Sequence, residues 1–128
     1  NYPEIINIYA RFDEIPDSIQ RIKFTIASYN CGYGHVEDAI RLAGYKGYKD
    51  DIWDKNVEEI ILKLSNPKHY NHPAVKYGYV RGMEPYFYVE QIFKRYKITN
   101  SLLRNKLPAL ACLKYFLHIL ISLLIILY

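Results

Sequence analysis

The run Ala27–His35, ASYNCGYGH, gathers a tyrosine, an asparagine and two glycines at what reads as a helix end. Tyr29 offers a flat apolar ring with a polar tip, and Asn30 an amide that donates and accepts at once. Gly32 lets the backbone turn and leaves open space beside it. Such amphipathic groups suit half-wet surfaces and grooves, which hints at a binding cleft. The same residues have plainer uses. Tyr29 falls at helical spacing for a core aromatic, and an asparagine readily ends a helix in left-handed geometry. A second aromatic group lies in MEPYFYVEQIF, where Tyr88 either packs on a neighbouring helix or faces a site.

Acids and metal ligands are less promising. Glu37 and Glu84 fall in the first turns of expected helices, where the helix dipole favours the charged form. Glu58 and Glu59 lie in a charged helical run, and Asp50, Asp51 and Asp54 cluster in a turn where capping accounts for them. None suits a general acid, so no catalytic residue is assigned. Cys31 and Cys112 form neither a disulfide framework nor a metal spacing. His35, His69, His72 and His118 match no ligand pattern. No metal and no cofactor is expected.

Helices must position these residues, because the apolar pattern is helical almost throughout. The first is expected from Pro3 to Phe12, with proline where its missing N–H costs nothing. Asp17 or Ser18 caps the second, which presents Ile19, Ile22, Ile26 and Tyr29 on one face and stops between Asn30 and Gly34. Val36, Ala39, Ile40 and Ala43 stripe a third, with Gly44 as its C-terminal cap. After the turn YKGYKDD, the stretch IWDKNVEEIILKL gives a fourth helix with Val57, Ile60, Ile61 and Leu64 inward. Two short pieces punctuated by Pro67 and Pro73 follow. A last helix carries Pro85 in its first turn and Tyr86, Val89, Ile92, Phe93 and Tyr96 on its apolar side.

The chain has 128 residues, enough for one compact domain, and 14 of them are tyrosine. Its net charge of +4 is uneven. Three bases (Arg104, Lys106, Lys114) and no acid lie beyond residue 97, so the body before them is nearly neutral. That excludes the concentrated basic stripe of a nucleic-acid surface.

The ordered pieces RIKFTIASYNCGYGHVEDAIRLA and WDKNVEEIILKLSNPKHYNHPAVKYGYVRGMEPYFYVEQIFKRY resemble the C-terminal half of a lysozyme-like catalytic domain. The resemblance is to the membrane-bound lytic murein transglycosylase F family, within the soluble-lytic-transglycosylase (SLT) superfamily. ASYNCGYGHVEDA stands at the family's A-Y-N-x-G motif, and RGMEPYFYVEQI at its E-T-x-x-Y-V-x-x-I motif. Ser28 replaces a frequent alanine, and Pro85 a frequent threonine. The resemblance implies an all-α fold over residues 1–97. It also implies cleavage of the MurNAc–GlcNAc bond of peptidoglycan, with a 1,6-anhydro product, in the cell envelope. By position it makes Tyr29, Asn30, Gly32 and Tyr88 substrate-side residues of a saccharide cleft. The family's catalytic glutamate and its G-L-M-Q-type segment lie upstream of the matched stretch. The chain is therefore expected to be a fragment that is inactive alone, without a catalytic residue of its own. The alternative is a non-catalytic, membrane-tethered module that binds peptidoglycan strands.

Residues 98–128 change character. From Leu107 to Tyr128 they are almost all apolar, long enough for a membrane-spanning helix. Lys114 within it is costly unless it snorkels. By the positive-inside bias the basic residues hold the near end in the cytoplasm, away from the wall. Three readings of this tail stay open: a membrane anchor, a non-native extension, or an apolar C-terminal helix covering a surface of the body. The opening NYPEIINIYARF has no Met, basic flank or apolar h-region, and reads as mid-protein sequence without a signal peptide.

Overall fold

The structure, a computed structural model, describes residues 2–103 and His118. The described chain is all-α. Its helices are α1 (Tyr2–Arg11), α2 (Ser18–Cys31), α3 (Tyr33–Tyr45), α4 (Glu58–Lys63), α5 (Pro67–Tyr70) and α6 (Met83–Leu103). Two compact units divide the chain, residues 1–89 and residues 90–128.

In the first unit α2 is the central element, packed by α1 and α3. It starts where expected. The Asp17 carboxylate accepts from the backbone N–H groups of Ile19 (2.8 Å) and Gln20 (2.9 Å), satisfying two donors that have no helical partner. Its burial is broader than a single stripe. Ile22 and Ile26 are buried as expected, but so are Phe24, Thr25, Ala27 and Ser28, whereas Ile19 and Tyr29 are half-exposed. A helix flanked by neighbours on several sides buries more than one face. Thr25 tolerates this because its hydroxyl donates to the Arg21 carbonyl at 2.8 Å. Phe12, Phe24 and Trp53 form a buried aromatic row, with ring centroids 5.6 Å apart at each step.

Gly32 separates α2 from α3. Its φ of 98° lies where side chains other than glycine are strained, and its N–H closes α2 on the Ser28 carbonyl at 2.8 Å. In α3, Val36, Ala39 and Ala43 are buried, joined by Leu42 and Asp38, while Ile40 is half-exposed. Gly44 does not cap this helix. Lys46 N–H still bonds to the Leu42 carbonyl at 3.0 Å, and the left-handed turn falls instead on Gly47 at φ 78°.

The fourth helix begins later than its sequence pattern implies. Asp54 (φ −61°, ψ 122°) and Lys55 (φ 58°, ψ 11°) leave helical geometry within Trp53–Val57. Contacts from α2 hold this kink. The Gln20 side chain accepts from Trp53 N–H at 2.8 Å and donates to Asp54 Oδ2 at 2.8 Å, and Lys23 Nζ lies 2.6 Å from Asp54 Oδ2. Glu58 then accepts from Lys55 N–H at 2.6 Å, and regular helix follows. Val57, Ile60, Ile61 and Leu64 all face inward and are fully buried. The chain returns across α4 at Gly82, where a Cβ would lie 1.9 Å from the Ile61 carbonyl oxygen, so only glycine fits.

Of the second unit the structure describes the remainder of α6 and His118. Phe93 and Tyr96 meet edge-on at 6.0 Å, and the Asn100 amide donates to the Tyr96 hydroxyl at 3.4 Å. Among the described residues no helix is long and apolar enough to cross a membrane. Arg104, Lys106, Lys114 and, apart from His118, the apolar stretch 107–128 lie outside the described residues.

Candidate functional site

The bend between α2 and α3 opens beside α1. Tyr29 and Gly32 line a groove of about 560 Å³ with Ser28 and Tyr33, and α1 supplies Pro3, Glu4, Asn7, Ile8 and Arg11. The Arg11 guanidinium sits over the Tyr33 ring, 4.7 Å from its centroid. On its far side Tyr33 meets Phe12 at 5.2 Å, so the groove wall is continuous with the aromatic core. A Cβ on Gly32 would meet nothing closer than His35, at 4.0 Å. The residue therefore leaves open space on that side.

Two other expected site residues are placed differently. Asn30 and Tyr88 are half-buried and are not among the groove-lining residues. Asn30 Oδ1 is closed off from solvent and has no hydrogen-bond partner among the described residues, and the same holds for Ser28 Oγ. Tyr88 stands on α6, one residue before the buried Val89. The structure thus brings Tyr29 and Gly32 to the wall of one groove, which Asn30 and Tyr88 do not line.

Several of the carboxylates have partners. Glu37 lies 3.6 Å from Arg41 Nη1, and Glu84 3.6 Å from Arg81 Nη1. Asp54 is held by Lys23 and Gln20 rather than capping a helix. Burial raises the pKa of Glu58, opposed by the Lys55 N–H that it accepts. A second hollow, of about 310 Å³, is lined by Glu14, Glu37, Asp50 and Asp51 together with Arg11 and Tyr33. The Tyr33 phenol is pushed up by burial first and then by the Glu37 charge. Burial also pushes the Cys31 thiol up to about 12, which disfavours its thiolate. Among the described residues no group of three or more His, Cys, Asp or Glu converges as a metal site would require.

One important residue carried no apolar signal. Asp38 is fully buried in α3, where it accepts from the backbone N–H groups of Lys76 (2.8 Å) and Tyr77 (2.7 Å) and pairs with Arg41. Arg41 Nε in turn donates to the Ala74 carbonyl at 3.1 Å. Together they lash the loop between α5 and α6 to the helix that starts at the glycine motif. The only hint in the sequence was an acid and a base three residues apart on one helix.

These features define an all-α unit with an aromatic, half-polar groove at a glycine-turned helix junction. Its relatives by sequence are particular proteins. The chain is 44% identical over 84 residues to membrane-bound lytic murein transglycosylase F of Maricaulis maris, covering 63% of this chain and 18% of that protein. It is 44% identical over 84 residues to the protein of the same name from Shewanella woodyi, covering 66% and 17%. It is 41% identical over 91 residues to that of Desulfosudis oleivorans, covering 71% and 19%. Over this stretch the chain is homologous to the membrane-bound lytic murein transglycosylases F, and through them to the SLT superfamily. It spans 17–19% of the length of these curated relatives. No profile of a known protein family matches it.

Proposed function

We propose that residues 1–97 are part of the saccharide-binding half of a peptidoglycan lytic transglycosylase domain, acting at the cell envelope. In this reading Tyr29 and Gly32 shape the surface that meets a glycan strand. Asn30 and Tyr88 complete the substrate side where the rest of such a domain adjoins it. The observation that carries the proposal is the groove. The motif residues Tyr29 and Gly32, singled out by resemblance, line one open, partly aromatic surface. The homology to lytic murein transglycosylases supplies the substrate class.

Cleavage of a glycosidic bond needs a carboxyl group kept protonated near neutral pH, which burial can achieve. Among the described residues the fully buried carboxylate is Asp38, and its oxygens already accept from two backbone N–H groups and Arg41. Glu58 is only partly buried and holds the Lys55 turn. The chain alone is therefore proposed to bind murein without cutting it, and no residue is given a catalytic role.

The test is co-sedimentation with purified sacculi, followed by analysis of the released material. The chain is expected to pellet with sacculi and to release no anhydro-muropeptides. Tyr29→Ala should weaken binding about tenfold, the order expected for losing one aromatic contact. Turnover at a rate comparable to a full-length relative would refute the non-catalytic part. Absence of binding would refute the saccharide reading itself.

A further inference from the structure

Tyr77 is an anomaly among the exposed tyrosines: the residue is 60% exposed, yet its surroundings fix it closely. Its backbone N–H is held by the buried Asp38 carboxylate at 2.7 Å, and Lys76 just before it by the other oxygen at 2.8 Å. Arg41 ties the same loop again at Ala74. Beneath the ring lies Gly34, where a Cβ would come within 2.8–2.9 Å of three Tyr77 ring atoms. The ring therefore rests directly on backbone. The His35 imidazole meets it edge-on, with centroids 6.3 Å apart.

An exposed aromatic ring ordinarily loses rotamer freedom when it binds something. Here that freedom is already restricted: one face is seated on a glycine, and the loop is fixed by a fully buried carboxylate. A flat apolar ring presented this way, with a polar hydroxyl at its rim, matches the C–H face of a pyranose. We propose that Tyr77 is a second saccharide-stacking platform, and that Gly34 and Asp38 are the positioning residues that hold it. Successive helical residues point about 100° apart. Gly34, under the Tyr77 ring, and the groove-lining Tyr33 therefore open different sides of the start of α3. A polymeric glycan can touch both surfaces, and two contacts on one strand add through effective concentration. The inference rests on the saccharide reading proposed above and extends it to a residue outside that groove.

The experiment is co-sedimentation of the full chain with purified sacculi, comparing variants that keep a cooperative thermal transition. Tyr77→Ala and Tyr77→Leu should each bind roughly three- to tenfold more weakly, leucine serving to cover Gly34 without offering a ring. Tyr77→Phe should bind within about twofold of the unaltered chain, since it retains the face. Tyr45→Ala removes a tyrosine that is more exposed still, at 75%, and should change nothing. Binding by the unaltered chain that is insensitive to both Tyr77→Ala and Tyr77→Leu would overturn the platform and leave the Tyr29 groove standing. Equal losses in Tyr77→Phe and Tyr77→Leu would also overturn it, by showing that the hydroxyl and not the ring face is read. No binding by the unaltered chain would overturn both proposals.

Discussion

Ser28 and Asp38 stand on adjoining helices, and both are buried, but the chain treats their oxygens in opposite ways. The Ser28 hydroxyl, and the Asn30 amide oxygen two residues on, have no hydrogen-bond partner among the described residues. The Asp38 carboxylate accepts from two backbone N–H groups and a guanidinium. A buried polar atom left unpaired costs free energy, so it persists only where something other than stability keeps it or where a partner is still to come. A buried charge with both oxygens engaged is a structural rivet. Unmet hydrogen-bonding capacity thus runs along the motif, at Ser28 and Asn30 in α2 and at His35 Nδ1 in the first turn of α3, whereas Asp38, further along α3, fixes a loop.

The sharpest way to break this contrast is to remove the rivet. Asp38→Ala removes the acceptor of the Lys76 and Tyr77 backbone N–H groups and one of the partners of Arg41, which keeps the Ala74 carbonyl and Glu37. Loss of one partner from a buried pair typically costs about 3–5 kcal/mol. The lower end is expected, because Arg41 retains 28% exposure and can partly rehydrate. Urea denaturation should show the loss, and limited proteolysis should cut first between residues 71 and 82. A cost below about 1 kcal/mol would mean that the loop is held by other contacts, and Asp38 would then be no different in kind from Ser28.

Asp17 gives an intermediate case. Its carboxylate also accepts from two backbone N–H groups, but at an exposed helix start where water can replace it. Asp17→Ala should cost about 1 kcal/mol, the usual range for an N-cap, measured in the same urea series. If it costs as much as Asp38→Ala, burial is not what separates the two carboxylates.

This ordering also explains what the sequence made legible. Local chemistry was readable: the Asp17 cap, the glycine stop at Gly32, and the inward face Val57, Ile60, Ile61 and Leu64 each depend on neighbours within one or two turns. The features that escaped depend on distant chain. Asp38 meets Lys76 and Tyr77 far along the sequence, Gln20 and Lys23 hold the kink at Asp54, and Gly82 is required only because α4 passes against it. In the apolar periodicity Asp38 is a polar interruption and Gly34 a weak helix former, because neither Arg41's reach nor the Tyr77 ring is visible locally. The candidate site divides the same way. Tyr29 and Gly32 were legible from the motif and share a groove, whereas Tyr77, in an apparently plain loop, gave no sign of being held.

The smallest expected effect bears on the other side of the comparison. Ser28 is 2% exposed and its hydroxyl has no partner among the described residues. Ser28→Ala removes that hydroxyl at almost constant volume, so no cavity forms and no packing contact is lost. Alanine is also the better helix former at this interior position. The variant should therefore be as stable as the unaltered chain or more so by about 0.5–1 kcal/mol. In a domain of this size that is a rise of a few degrees in Tm. Stabilisation would show that the hydroxyl is an unmet cost in the isolated chain. Destabilisation by about 1 kcal/mol or more would show that the hydroxyl is satisfied, by water or by a neighbour, and the α2 end would lose its claim to unmet hydrogen-bonding capacity. Repeating the measurement with sacculi present separates the two remaining roles. If glycan engages Ser28, the stabilisation on mutation should shrink when binding is saturated. If it does not, the gain should stay the same, and serine here would be a tolerated replacement for the family's alanine rather than a contact.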